Sequence, residues 1–321
     1  MAVIGIDLGG TKLSAAIFLE NGILLKKETM SLEKRGGHDV FILIGKALNL
    51  LLKHINSEGI TISAVGCCVP GAVNQQTGTV WAPNITGWEN YPLQSDLTEF
   101  LKDQTIKIKI DSDRVCSLWG EIWKGAAYGC NNAIFIAVGT CIGAGIRTDG
   151  IMLRGSHDIG GAIGWLAIQK PFKEEYIQCG CFEYHSSGEG LVKVTRDYLV
   201  EDIDYKGILR SINSDQITAY EVFDAWSLHD PLATRVIDRA VEAWGMVAAN
   251  MISIFNPEKI IFGGGIFGPA ALLLERITDE ARKWAQPISF KQVQFEVSQL
   301  GGDAALIGAA YMALIDEPEK Q

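Results

Sequence analysis

Asp7 lies inside the apolar run VIGIDL, two positions before Gly9-Gly10-Thr11-Lys12. A carboxylate among apolar residues is costly unless it meets water, a partner or a metal ion. The neighbouring glycines let a ligand come close to the backbone. Backbone N–H groups in such a turn can form an anion-binding nest. Thr11 adds a hydroxyl donor and Lys12 a positive charge. Asp7 would then hold Mg²⁺ beside phosphates, directly or through water. A second Gly-Thr pair, Gly139-Thr140, follows the strand-like AIFIAV. Ile136 stands there in the place of Asp7, so the strand itself does not require an acid. Gly263-Gly264-Gly265 follows KIIF, where a flat base or a ribose could approach the backbone. Gly264 and Gly265 complete this phosphate- and nucleotide-binding set. No GxxxxGK[ST] occurs, so none of these turns is a P-loop.

The elements that must carry these residues repeat. Each Gly-Thr turn sits between two strand-like runs, and an Asn21-Gly22 or Asp149-Gly150 turn leads to a third. Such dipeptides between apolar runs signal hairpins, so each copy predicts three antiparallel strands. HDVFILIGKALNLLLKHI has the apolar spacing of a helix. ISAVGCCVPGAV predicts a buried strand ending at Pro70-Gly71, and TIKIKIDSD a further strand. RVCSLWGEIWKGAAYG predicts a helix closed by Gly129. In the second half, ATRVIDRAVEAWGMVAANMISIF predicts a long helix ended by Asn256-Pro257, and GDAALIGAAYMALI a final helix. Strands lead and helices follow in both halves, which is an α/β class with two related domains. The hinge is expected near Asp113, with the last helix returning to the first domain.

The chain has 321 residues, 48% hydrophobic and 21% charged, enough for two domains. Its net charge of -10, without a Lys/Arg cluster, argues against nucleic-acid binding. No apolar run reaches membrane-spanning length, and no basic-then-apolar leader precedes the first strand. Seven scattered cysteines suit free thiols in a reducing cytoplasm. Cys67, Cys68, Cys116 and Cys141 are expected to be buried small hydrophobes.

DLGGTK at 7–12, VGTCIGAG at 138–145 and the glycine triplet resemble the superfamily of sugar kinases and actin-like ATPases. Within it, the chain resembles the ROK family of bacterial sugar kinases and repressors. VPGAVNQQTGTVWAPNITGW at 69–88 is similar to that family's segment beside the sugar. NPEKIIFGGG at 256–265 and GGDAALIGAA at 301–310 are similar to its adenosine-side strand and closing helix. The resemblance implies two ribonuclease-H-like (actin-like ATPase) domains, each a mixed sheet with flanking helices, around a hinged cleft. Residues 1–112 plus 304–321 would form the smaller domain, on the phosphate and sugar side. Residues 113–303 would form the larger one, for the nucleotide and for dimerisation.

The same resemblance implies roles. DSDRV places Asp113 on the family's catalytic base, which takes the proton of the attacking hydroxyl. By itself Asp113 reads as a helix N-cap, and Asp111 raises the same catalytic question. Register with Glu121, at the end of that helix in the family, selects Asp113. Pro70, Gly71, Asn84, Ser112 and Glu183 match substrate-side positions. Three departures stand out. Ser112 replaces an Asn, Ala162 a sugar-contacting Glu, and Trp165 a His that touches sugar and often ligates zinc. Core packing is the reading for Trp165, with a wall of the sugar pocket as the alternative. The family's cysteine cluster survives only as Gly180-Cys181. Cys179, Cys181 and His185, with His157 outside, do not make a convincing four-ligand set, so structural zinc is not expected.

These features imply an ATP- and Mg²⁺-dependent kinase acting on a hydroxyl of a hexose or related sugar, glucokinase-like, cytoplasmic and homodimeric. The alternative is a catalytically weak ROK-type sugar sensor without a DNA-binding domain, since the phosphate strand begins by residue 4. A sugar-independent ATP hydrolase is a third reading, opposed by the NITGW segment.

Overall fold

The computed structural model describes residues 1–102 and 106–316. Thr105, in the alternating stretch, and residues 317–321 of the closing segment lie outside the described residues. The chain divides into two compact units: residues 1–129, 145–160 and 302–321 form the first, and 130–144 and 161–301 the second.

The first unit is built on strands β1 (Ala2–Leu8), β2 (Lys12–Leu19), β3 (Leu24–Ser31), β4 (Ile62–Val69) and β7 (Lys107–Ser112). Their order is β3-β2-β1-β4-β7; β2 runs antiparallel to β1 and β3, and β4 runs parallel to β1 and β7. A small hairpin pairs β5 (Ala72–Val73) with β6 (Val80–Trp81). Its helices are α1 (His38–Glu58), α2 (Leu93–Phe100), α3 (Asp113–Lys124) and, from the end of the chain, the helix Ala304–Leu314. Side chains alternate across a strand. Ile4, Ile6 and Leu8 therefore share one core with α1, while Val3, Ala16 and Ala64 meet Leu306 and Ala310 of the closing helix. Glycine makes that second approach possible. A Cβ on Gly66 would lie 1.8 Å from the Ala309 carbonyl oxygen, and one on Gly308 would lie 1.6 Å from that of Cys116.

The second unit holds β8 (Ala133–Val138), the start of β9 (Ile142–Thr148), and later β11 (Lys259–Gly263) and β12 (Gln294–Val297). With β10 (Ile151–Met152), the sheet order is β10-β9-β8-β11-β12, and β11 is parallel to both β8 and β12. Helices α4 (Tyr176–Cys179), α5 (Cys181–Ser186), α6 (Gly188–Glu201), α7 (Ile208–Ser211), α8 (Ala219–Ser227), α9 (Pro231–Phe255), α10 (Leu274–Trp284) and α11 (Pro287–Phe290) follow in chain order; the closing helix of the first unit is α12. The Asp230 carboxylate caps α9 by accepting from the N–H groups of Leu232 and Ala233, and Pro231 occupies its first turn. Asn256, left-handed at φ 45°, ends it as the sequence predicts.

Several expectations change. α3 closes at Gly125, not Gly129. The buried Glu121 carboxylate accepts the Ala126 N–H at 2.7 Å, and its carbonyl accepts from Gly125 and Ala127, which draws the chain off the helical path. α3 and residues 145–160, expected in the domain 113–303, group with the first unit, and α3 packs closely on α12. By length and composition α1 could cross a membrane, contrary to the reading of the apolar runs. About half of that window is buried, and its apolar face belongs to the first unit's core. Cys141 is exposed at the tip of its hairpin, while Cys67, Cys68 and Cys116 are buried as expected.

Candidate active site

In the first unit, the sheet register sets three polar side chains in one row. Asp7 pairs with Cys68, and Cys68 pairs with Asp111 on the far strand. Asp7 also faces Ser14 on β2. The Asp7 carboxylate is half-buried, and burial raises its pKa above the usual carboxylate value. A hydrogen bond from Cys68 and the charge of Lys12 oppose that rise. The turn beyond it is a tight hairpin in which the Gly9 N–H donates to the Lys12 carbonyl at 2.9 Å. Gly10, Thr11 and Lys12 are exposed there. A Cβ on Gly10 would lie 4.0 Å from the Asn84 Cβ, so this hairpin and the NITGW loop are neighbours. Asn84 itself is exposed. The loop is anchored by Trp88, which is fully buried, stacks on Tyr91 and donates to the Gly37 carbonyl at 2.9 Å.

Asp111 and Asp113 have different surroundings. Asp111 is buried; its Oδ1 accepts the Ser112 N–H at 2.7 Å and its Oδ2 accepts from Arg154 Nε at 3.1 Å and Nη2 at 2.5 Å. That carboxylate is committed to a charge-assisted pair. Asp113 opens α3, and its Oδ1 accepts the Arg114 N–H at 2.7 Å. Solvent reaches the Asp113 side chain, yet the dense protein around it still desolvates the charge. Its pKa is raised by that desolvation, lowered in part by Arg114, and raised again by the Asp7 charge. The structure thus brings Asp7 and Asp113 within electrostatic reach of each other. Ser112 is buried beside them. Pro70 and Gly71 are half-buried at the end of β4; Gly71 has φ 141°, and a Cβ there would lie 2.1 Å from the Trp81 carbonyl oxygen. Arg114 Nη1 donates to the Gly71 carbonyl at 3.3 Å, so the start of α3 is tied to the Pro-Gly turn.

In the second unit, three glycine turns converge. The Gly188 N–H donates to the Gly139 carbonyl at 2.7 Å. Gly264 has φ 91°, and a Cβ on it would lie 2.5 Å from the Val138 carbonyl oxygen. Thr140, Gly264 and Gly265 are exposed. Gly188 begins α6 behind Ser187, whose hydroxyl caps the helix by accepting from Gly190. Sequence reasoning missed Gly188. Its only signal was a Ser before a Gly-rich stretch opening an amphipathic run. Also missed was the Arg154–Asp111 pair, because nothing local links residues so far apart in sequence.

Glu183 also lies in the second unit. It is half-buried, and its Oε2 accepts the Ile142 N–H at 2.6 Å, just after the Gly139-Thr140 turn. Burial raises its pKa, against the lowering effect of that bond. The residues around it correct one expectation: Trp165 is exposed rather than packed in a core. Ala162 precedes the short helical turn Ile163–Trp165. His185 is buried, with its Nε2 2.8 Å from the Tyr176 hydroxyl and 2.6 Å from the Gln169 amide nitrogen. Among the described residues, no group of three or more His, Cys, Asp or Glu side chains converges as a metal site.

Comparison with known proteins gives this arrangement its relatives. The chain is 30% identical to a glucokinase of Thermotoga maritima, over 97% of this chain and 96% of that one. It is 29% identical to a glucokinase of Halalkalibacterium halodurans, over 96% and 94%. Its structure is similar to that of a ROK family glucokinase from Streptomyces griseus solved in complex with glucose and AMPPNP, with a TM-score of 0.76, 26% identity and coverage of 98% and 99%. The ROK family model matches residues 3–315, and with two glycine hairpins, a strand-borne Asp7 and the glycine triplet all in place, the chain belongs to the ROK family.

Proposed function

We propose that the protein is an ATP-dependent sugar kinase that uses Mg²⁺ and transfers the γ-phosphate to a hydroxyl of a hexose or related sugar. One observation carries the assignment of roles: Asp111 is held by Arg154, whereas Asp113 is solvent-accessible and has a raised pKa. Asp113 accepts the proton of the attacking hydroxyl and orients that oxygen toward the phosphate. The Gly9–Lys12 hairpin contributes N–H groups, the Thr11 hydroxyl and the Lys12 charge to the phosphates. Within the second unit, Gly139 and Thr140 offer N–H groups and a hydroxyl of the same kind for a phosphate, and Gly264 and Gly265 leave room for a nucleoside. Pro70, Gly71, Asn84 and Ser112 are the sugar-side residues of the first unit, and Glu183 is the sugar-side residue of the second.

Asp7 suits Mg²⁺. It is one half-buried carboxylate beside a phosphate-binding turn, and Mg²⁺ commonly takes one or two carboxylates, phosphate oxygens and waters. Once bound through water, the ion would neutralise phosphate charge. The buried thiols of Cys67, Cys68, Cys116 and Cys181 form no disulfide, which suits a reducing cytoplasm. Assembly as a homodimer rests on the family resemblance and is open to sedimentation analysis.

The deciding experiment measures ADP release with a panel of sugars and polyols. ADP formed only with particular sugars supports the kinase. Release without sugar would make it a hydrolase, and sugar binding without turnover would make it a sensor.

A further inference from the structure

A cavity of about 220 Å³ opens in the first unit beside the Pro-Gly turn, lined by Asn74, Thr79, Trp81, Asn90, His157 and Ile159. Ala72, the residue after Gly71, forms part of its floor and pairs with Trp81 across the β5–β6 hairpin. The hairpin is held in place from two sides. Gln75 Nε2 donates to the Ile110 carbonyl at 3.1 Å, and the Gln75 N–H donates to Asp158 Oδ2 at 3.1 Å. The second bond fixes the segment that carries His157 and Ile159. Arg114, next to Asp113, reaches Gly71 from the other side. The cavity therefore borders the turn to which Arg114, the neighbour of the candidate base, is tied.

Its chemistry points to one kind of ligand. Trp81 is 53% exposed, although a large aromatic of this kind usually hides its ring. Its indole supplies a flat apolar wall. Asn74 Oδ1 accepts from the N–H groups of Gln76 and Thr77, so the group this side chain has to offer a ligand is its amide nitrogen, a donor. Thr79, Asn90 and His157 add neutral polar groups. No Lys, Arg, Asp or Glu is among the described lining residues. An anion would find no cation here, and a purely apolar group would strand the amides. A sugar ring has an apolar C–H face and a hydroxyl rim that match both.

We infer that this cavity is a second sugar subsite, which seats the ring attached to the sugar being phosphorylated, so that the preferred substrates include disaccharides or glycosides. The inference rests on the kinase reading for its link to turnover, but binding can be measured without it.

The test compares glucose with an α-linked and a β-linked glucose disaccharide in the parent protein, Trp81→Ala and Trp81→Phe. Both turnover and calorimetric binding are read. Loss of one aromatic face should lower kcat/KM and affinity for the better disaccharide by about tenfold. Glucose should change less than about twofold, and Trp81→Phe should recover most of the loss. Equal effects on glucose and disaccharide, or no effect on either, overturn the subsite. So does absence of disaccharide binding in the parent. If no sugar is turned over but a disaccharide binds through Trp81, the kinase reading fails and the subsite stands.

Discussion

Cys68 donates its thiol hydrogen to Asp7 Oδ1, with Sγ 2.9 Å from the oxygen, across the parallel strands β4 and β1. This is the buried partner that the apolar strand demanded for its carboxylate. It opposes the effect of burial by favouring the charged form. With Mg²⁺ held at Asp7 as proposed, Cys68→Ala should therefore raise the Mg²⁺ concentration needed for half-maximal activity, most strongly at acidic pH. Cys68→Ser should restore it. Mg²⁺ titrations that coincide for parent and Cys68→Ala across pH would remove Cys68 from this role.

In the proposed reaction Asp113 must be ionised to take a proton. Its raised pKa places the acid limb of kcat/KM above the ordinary carboxylate range, with activity lost as pH falls through it. Asp113→Asn should keep sugar and nucleotide binding, abolish that limb, and lower turnover by about 10²–10⁴. A near-normal rate in Asp113→Asn would move the base elsewhere.

His185 makes a separate prediction about stability. Burial first, then the charges of Arg239 and Lys173, lower its pKa to about 3. The folded protein thus holds the ring neutral, while the unfolded chain takes up a proton near pH 6.5. The His185 contribution to stability is full above that pH. It declines as pH falls from there toward 3, by at most about 1.4 kcal/mol per pH unit. Urea midpoints measured from pH 7 to pH 5 should fall in the parent and fall less steeply in His185→Gln. Parallel profiles would show that another group controls the decline.

Gly308 permits the contact between α12 and α3. A methyl group there would overlap the Cys116 carbonyl, which is backbone and cannot swing aside. Gly308→Ala should cost about 1–3 kcal/mol or more, read as a lower denaturant midpoint. Unchanged stability would mean that the two helices separate without penalty.

Much of this was legible because the signals were local. The Gly-Thr turns, the Asn-Gly and Asp-Gly hairpins and the capped helix α9 each announce themselves within a few residues. The closing helix was also visible, since its apolar and small residues run without a break. The remainder depended on distance in sequence. Cys68 read as a small hydrophobe, and only strand register sets it against Asp7. By residue type Asp111 and Asp113 look alike in DSDRV; only family register separates them there, and the Arg154 pair that occupies Asp111 is set by the fold. Trp165 read as core because aromatics usually are, and its exposure follows from a turn that only the assembled chain defines. Gly125 ends α3 because the buried Glu121 needs a partner, which no propensity reports.

The return of α12 to the first unit has a consequence for synthesis. Val3, Ala16 and Ala64 precede α3 in the chain, but the residues that cover them, Leu306 and Ala310, are made only after the second unit. At about 5–20 residues per second, that sheet face waits on the order of 10–40 s after α3 has emerged. During that interval its glycine-lined surface is uncovered and sticky. A nascent chain arrested before Ala304 should engage holding chaperones, and one released with α12 complete should not.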